Sequence, residues 1–240
     1  METTGKINFS ARCANGILIF LIPALTAFNS CKKDDTSLPD HVERITLITD
    51  YEMGYGGYYY YVYKPWVFFK DGTFVKEPRI PIGELDVSML NTDVATNWGT
   101  WERAGDKVNL TYRNGDTGTK DWPGIEATAA RKGETLDGQF SSISGGGNLA
   151  WGGDIGILSY SRMSFTSDGW YTTERISGSN SSSHAAYHTN TTSGKYRFDG
   201  DYSITLTANN GQSKRFFFCW FSNAERHFRL AGRTFSRNSD

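Results

Sequence analysis

The chain is poor in cysteine, with 3 in 240 residues, and those it has offer no disulfide framework. Cys13 and Cys31 fall at the N-terminus, and Cys219 stands alone in the body. A stapled scaffold is thereby excluded, and the folded part must stand on its own core. About 200 residues suffice, since a chain of that length buries roughly 70 % of its unfolded surface. An excess of charge of one sign is also missing. The formal net charge is −1, and Lys and Arg are interleaved with Asp and Glu throughout. Without a basic stripe to release phosphate counterions, nucleic acid is argued against as a partner. Nor does any apolar run reach the about 20 residues that a bilayer-spanning helix needs.

What is present begins at the N-terminus. Lys6 and Arg12 precede an apolar run of 12 residues, Ile17 to Phe28, and Asn29-Ser30-Cys31 follows. A basic n-region, a short apolar core and small residues before a cut are what a secretory signal requires. Cys31-Lys32-Lys33-Asp34-Asp35 then resembles the start of mature bacterial lipoproteins of the Bacteroidetes type. The resemblance implies a signal peptide over residues 1–30, lipidation (palmitate) at Cys31 and a tether over 31–42. It also implies a lipid anchor in the outer membrane, and Lys33-Asp34-Asp35 resembles the signal for the surface-exposed side. Phe28 stands where an aliphatic residue is usual, so a plain secretory signal cut near Ala27 is the alternative.

The body reads as all-β. Aromatic residues make up 15 % of the chain and glycine is frequent, with alternating runs such as Arg44-Ile45-Thr46-Leu47-Ile48 and Ser203-Ile204-Thr205-Leu206-Thr207. Asp71-Gly72, Asn114-Gly115, Asp168-Gly169 and Asn210-Gly211 separate them, each pairing a residue tolerant of positive φ with glycine, as tight hairpins demand. The one candidate helix is Asp86–Thr96.

These turns belong to an internal repeat. Phe68-Phe69-Lys70-Asp71-Gly72 answers to Phe165-Thr166-Ser167-Asp168-Gly169, and Gly99-Thr100-Trp101 answers to Gly194-Lys195-Tyr196. A closing strand recurs as Leu136–Ser141 and Leu230–Ser236. The expected fold is antiparallel up-and-down meanders from two sequence-related halves, about 43–141 and 150–237, joined as one β domain (43–240) of about 12 strands. Two separately folded domains are the alternative. Gly99, Trp101, Gly194 and Tyr196 form the structural signature, and Trp101 and Tyr196 should occupy equivalent inward positions. Asn97-Trp98-Gly99-Thr100-Trp101 resembles the Gly-x-Trp strand of lipocalins, which implies a lipocalin-like barrel or a related sandwich. The whole chain also resembles a β-rich family of bacterial secreted proteins whose activity is uncharacterised.

Several segments invite chemistry that their setting argues against. Ser144-Gly145-Gly146-Gly147-Asn148 lacks the Lys-Ser/Thr of a phosphate loop and leads into no helix pattern, so it reads as a flexible connection between the halves. His184 and His188, four apart, would align as ligands only on a helix, and they lie in a polar insertion. Gly178–Ser193 is accordingly expected to be a solvated excursion. No Gly-x-Ser-x-Gly and no carboxylate pair stands out, so no catalytic residue, cofactor or metal is assigned.

The tyrosines are the better clue. Tyr51, Tyr55, Tyr58, Tyr59, Tyr60, Tyr61 and Tyr63 crowd a short stretch that Trp66 follows. Alternation sets Tyr59, Tyr61 and Tyr63 on one face. With Trp66 and Trp151 they form the candidate ligand-binding set, because tyrosine offers large area with a polar tip at low entropic cost. The expectation is a non-catalytic binding protein of the cell envelope, taking a small hydrophobic ligand or a glycan. The alternative is a structural or protein-interaction component of the outer-membrane surface.

Overall fold

The structure, a computed structural model, describes residues 38–85, 97–221 and 224–238. The first half supplies β1 (Val42–Met53), β2 (Tyr59–Phe69), β3 (Thr73–Lys76), β4 (Trp98–Ala104), β5 (Lys107–Tyr112), β6 (Thr117–Asp121) and β7 (Ile125–Thr128). The second supplies β8 (Gly138–Gly147), β9 (Gly156–Phe165), β10 (Trp170–Asn180), β11 (Ala185–Phe198), β12 (Ser203–Ala208), β13 (Ser213–Phe221), β14 (Ala224–Leu230) and β15 (Arg233–Arg237). The fold is all-β and antiparallel, with 15 strands among the described residues against the expected dozen. No helix among those residues is long and apolar enough to cross a membrane.

The second half closes on itself. β8 to β15 run up and down as eight strands, and the ring shuts where β15 pairs β8 at Ser236–Ser141 and Arg237–Phe140. The first half stays open, with order β7-β1-β2-β3-β4-β5-β6, and joins the barrel where β7 pairs β13 at Thr128–Trp220 and Ala127–Phe221. It curls nonetheless: Trp122, after β6, packs edge-on against Phe68 at 5.3 Å, and the Thr46 hydroxyl lies 2.6 Å from the Pro123 carbonyl. The recurrent segment Leu136–Ser141, expected to close the first unit, opens the second one instead. Among the described residues the first unit therefore has seven strands.

Alternation divides the buried side chains among three cores. On β2, Trp66 and Phe68 face the interior of the curled sheet with Ile48, Phe74, Val108 and Leu110. Val67 and Phe69 face the other way, into a layer shared with Phe217, Cys219 and Phe221 of β13. Strands buried on both faces read as continuous apolar runs, which is what Trp66–Phe69 and Phe216–Phe221 are. Inside the closed barrel, Phe140, Phe165, Phe198, Phe218 and Phe228 fill the space. Their ring centroids lie 4.7–6.2 Å apart in mainly edge-on contacts, the packing aromatic quadrupoles favour.

The repeat is a repeat of structure. Gly99 and Gly194 each sit where a neighbouring strand comes so close that a Cβ would collide with the carbonyl oxygen of Thr111 or of Thr207. Two residues on, the Trp101 N–H donates to the Gly72 carbonyl at 2.8 Å and the Tyr196 N–H to the Gly169 carbonyl at 2.9 Å. Asn114 and Asn210 cap their turns alike, accepting from the N–H of Asp116 at 3.1 Å and of Gln212 at 3.0 Å.

Two loop expectations are corrected. Gly178–Ser193 is the far part of the β10–β11 hairpin, and β10 remains paired to β9 as far as Asn180–Gly156. Its polar composition suits a ladder wet on both faces of β11, where backbone hydrogen bonds replace a core. Ser144–Gly147 is likewise no connection but the end of β8, paired to β9. The helix expected over Asp86–Thr96 lies outside the described residues. Before it, Ile82 is buried in the shared layer while Ile80 is exposed.

Candidate functional site

β1 and β2 outrun the cores. They stay paired as far as Met53–Tyr59, so their last residues form a two-stranded ribbon whose tyrosine face is open to solvent. Such a ribbon is marginal alone and needs support. Its tip, Tyr55–Gly57, rests on the glycines at the ends of β8 and β9. A Cβ on Gly145 would lie 2.8 Å from the Tyr55 nitrogen, and one on Gly156 would lie 2.6 Å from the Tyr55 ring. The Tyr55 hydroxyl donates to Asn180 Oδ1 at 2.9 Å, tying the tip to the β10 end. Glycine is needed there because two backbones and a ring share the space.

On one face of the ribbon, cross-strand pairing sets Met53 opposite Tyr59, Tyr51 opposite Tyr61 and Thr49 opposite Tyr63. Tyr51 and Tyr61 stack with centroids 4.6 Å apart and a tilt of 37°, and their hydroxyls are 3.0 Å apart. That hydrogen bond raises the Tyr51 phenol above its ordinary value, which keeps this ring neutral. Tyr61 is 70 % exposed. Tyr63 bridges the ledge to the shared core, edge-on to Phe221 at 6.3 Å. On the opposite face the Tyr60 hydroxyl lies 3.2 Å from the Ile143 carbonyl, which seats the ribbon on β8.

The expected binding set is thus brought together only in part. Tyr59, Tyr61 and Tyr63 share the exposed ledge. Trp151 is 74 % exposed and lies beside Gly57 at the ribbon tip. Trp66 does not belong with them: at 1 % exposure it is a core residue, stacked on Phe74 at 5.3 Å. The sheet curls over that face of β2, and the tyrosine run and the tryptophan therefore lie in different environments. Of the signature residues, Gly99, Gly194 and Tyr196 are buried and Trp101 is half-buried.

A network of charges under the ribbon escaped the sequence reading. Arg229, wholly buried, bonds Glu77 and lies 3.4 Å from Glu52, while Lys64 lies 3.5 Å from Glu77 and 3.6 Å from Asp50. Lys76 completes it on Asp50. Burial alone would raise the Asp50 carboxyl, but the hydrogen bonds from Lys76 and the Tyr51 N–H, with the charges of Lys76 and Lys64, hold it below its ordinary value. The signal was Asp50 and Glu52 alternating on β1 on the face that Lys64 shares on β2, but the partner from β14 is remote in sequence.

Other reactive side chains are arranged otherwise. The Cys219 thiol is buried beyond solvent, and burial pushes it up to about 12, so it stays protonated. His184 sits at the β10–β11 turn and His188 opposite Ser177. Among the described residues no group of three His, Cys, Asp or Glu side chains is placed to hold a metal ion. The chain matches no family model, no curated protein and no solved structure.

Proposed function

We propose that this is a non-catalytic binding protein of the cell envelope, held to the outer membrane by a lipid on Cys31, whose tyrosine ledge engages a glycan. The lipid anchor rests on the lipoprotein-like N-terminus, which lies outside the described residues. The observation that carries the binding reading is the pairing of a ring-filled barrel with an exposed aromatic ledge. A cup for a small hydrophobic ligand needs an apolar cavity, and the apolar part of this barrel is occupied by its own phenylalanines. Binding is thereby directed to the outside. The stacked pair Tyr51 and Tyr61, with Tyr59 and Tyr63 in line, offers flat faces for the C–H side of sugar rings and hydroxyls for their edges.

The second reading is a protein-interaction module. It is favoured by the apolar side chains around the same tip: Trp151, Ile143, Ile155 and Ile157 are all exposed. Titration of the protein with soluble oligosaccharides, followed by tyrosine fluorescence or NMR, separates the two. Saturable shifts abolished by Tyr51→Ala and Tyr61→Ala support the glycan. An absence of shifts, with Trp151→Ser altering capture of an envelope protein, supports the partner.

A further inference from the structure

The barrel is filled with rings at one end only. The alternation that turns Phe140, Met163, Phe165, Tyr171 and Phe235 inward also turns Ser142, Ser161, Arg175 and Arg233 inward, further along the same strands. The interior thus changes from apolar to polar toward the end where β8 and β15 part, since these two strands pair only at Ser236–Ser141 and Arg237–Phe140. In that opening lies a pocket of about 420 Å³, lined by Glu52, Glu77, Arg79, Ser142, Arg175 and Arg233 among others.

Its charge balance is one-sided. Glu52 and Glu77 are engaged by Arg229 and Lys64, and Asp50 by Lys64 and Lys76, so three carboxylates meet three cations. Arg79, Arg175 and Arg233 remain, and among the described residues no carboxylate forms a salt bridge with any of them. The hydrogen bonds of Arg233 go to neutral acceptors, its Nη1 donating to Ser161 Oγ at 3.1 Å and its Nη2 to Ser159 Oγ at 2.7 Å. Burial and the charge of Arg175 work against the charged form of Arg233, and Glu52 and Tyr60 offset them only in part, so it is held below its ordinary value. Guanidiniums that outnumber the carboxylates of a recess are relieved by an oxyanion, which they bind through paired N–H donors.

We propose that the polar mouth of the second barrel is a binding site for a small oxyanion, a carboxylate, sulfate or phosphate, with Arg175 and Arg233 as its ligands. The hydroxyl lining fits a polar carrier, so the oxyanion is either a free ion or the acidic group of a sugar. The pocket lies apart from the tyrosine ledge, and the proposal does not depend on the ledge's ligand.

Isothermal titration calorimetry of the full chain with galacturonate, inorganic phosphate and neutral galactose tests it. Saturable binding of galacturonate or phosphate is expected, weakening as NaCl screens the charges and absent for galactose. Arg175→Gln, at an exposed position that leaves the core intact, should weaken it tenfold or more, and Tyr61→Ala should leave it unchanged. Phosphate binding alone assigns the site to a free ion, galacturonate binding alone to a sugar acid, and either supports the pocket. The proposal is overturned if neither anion binds, if galactose binds as well and Arg175→Gln weakens it equally, or if Arg175→Gln binds the anion as tightly as the parent. A parent protein that binds the anion but no neutral oligosaccharide overturns the glycan reading and leaves the pocket standing.

Discussion

Arg229 on β14 and Glu77, at the end of β3, form a buried ion pair that links the two sequence-related halves. Arg229 is 0 % exposed and also donates to Thr234 Oγ1 at 2.6 Å and to the Gly232 carbonyl at 2.9 Å, so both its terminal nitrogens have partners while its buried Nε has none. Removing one member of such a set strands the other. Arg229→Met should destabilise the protein by about 3–5 kcal/mol, and adding Glu77→Gln should restore part of the loss. Urea unfolding of the single and double variants measures this, and simple additivity would show that the pair is not coupled.

Acid should act on the same region and on the turn between β11 and β12. Asp50 and Asp199 have folded-state pKa values below the ordinary 3.8, against the pull of burial, because cations and hydrogen bonds hold their ionised forms. A depressed carboxyl contributes stability that is fully present above its unfolded pKa and is lost as pH falls through the folded value. The denaturation midpoint should therefore fall below about pH 4, with no change from these groups at neutral pH. Asp50→Asn should flatten that acid limb, which a pH series of thermal melts would record.

Gly99 and Gly194 make a matched pair of tests for the repeat. Alanine at either would place its Cβ against a backbone carbonyl, with the Tyr112 and Ala208 Cα atoms only 2.8 and 2.7 Å away. Backbone cannot yield as a flexible side chain does, so each substitution should cost at least about 2–3 kcal/mol. Gly211, at φ 84° in a turn with open space around it, should lose only about 1 kcal/mol on the same change. Unequal losses at Gly99 and Gly194 in melts of the two variants would mean that the ladders are not equivalent.

How far the sequence carried the fold is visible at particular residues. Asp-Gly and Asn-Gly turns and the spacing of the two Gly-x-aromatic strands are local signals, and they located strands β2 to β5 and β9 to β12. Trp101, half-buried, and Tyr196, buried, make matching contacts, the indole N–H donating to the Phe69 carbonyl at 3.0 Å and the tyrosine hydroxyl lying 3.1 Å from the matching Thr166 carbonyl. What stayed hidden was global. Leu136–Ser141 has the pattern of a closing strand, and pairing energy alone decides that it opens the second barrel. The polar stretch Gly178–Ser193 has no apolar face to announce a strand, yet its backbone continues ladders begun by Tyr171 and Tyr196. For the site, the tyrosine run was legible and the arginine pocket was not, because Arg79, Arg175 and Arg233 come from three distant strands or turns.

Trp66 and Tyr61 lie five residues apart on one strand, and their substitution should separate core from contact surface. Trp66 stacks on Phe74 and carries Lys76 5.7 Å from its ring centroid, so Trp66→Ala opens a cavity in the first unit and should cost about 3–5 kcal/mol. Tyr61 gives its ring mostly to solvent and its hydroxyl to Tyr51, so Tyr61→Ala should stay within about 0.5 kcal/mol of the parent while losing oligosaccharide binding. Chemical denaturation reads the first quantity and ligand titration the second. A Tyr61→Ala variant that binds normally would remove the ledge from the binding surface, and one that unfolds would make its rings structural.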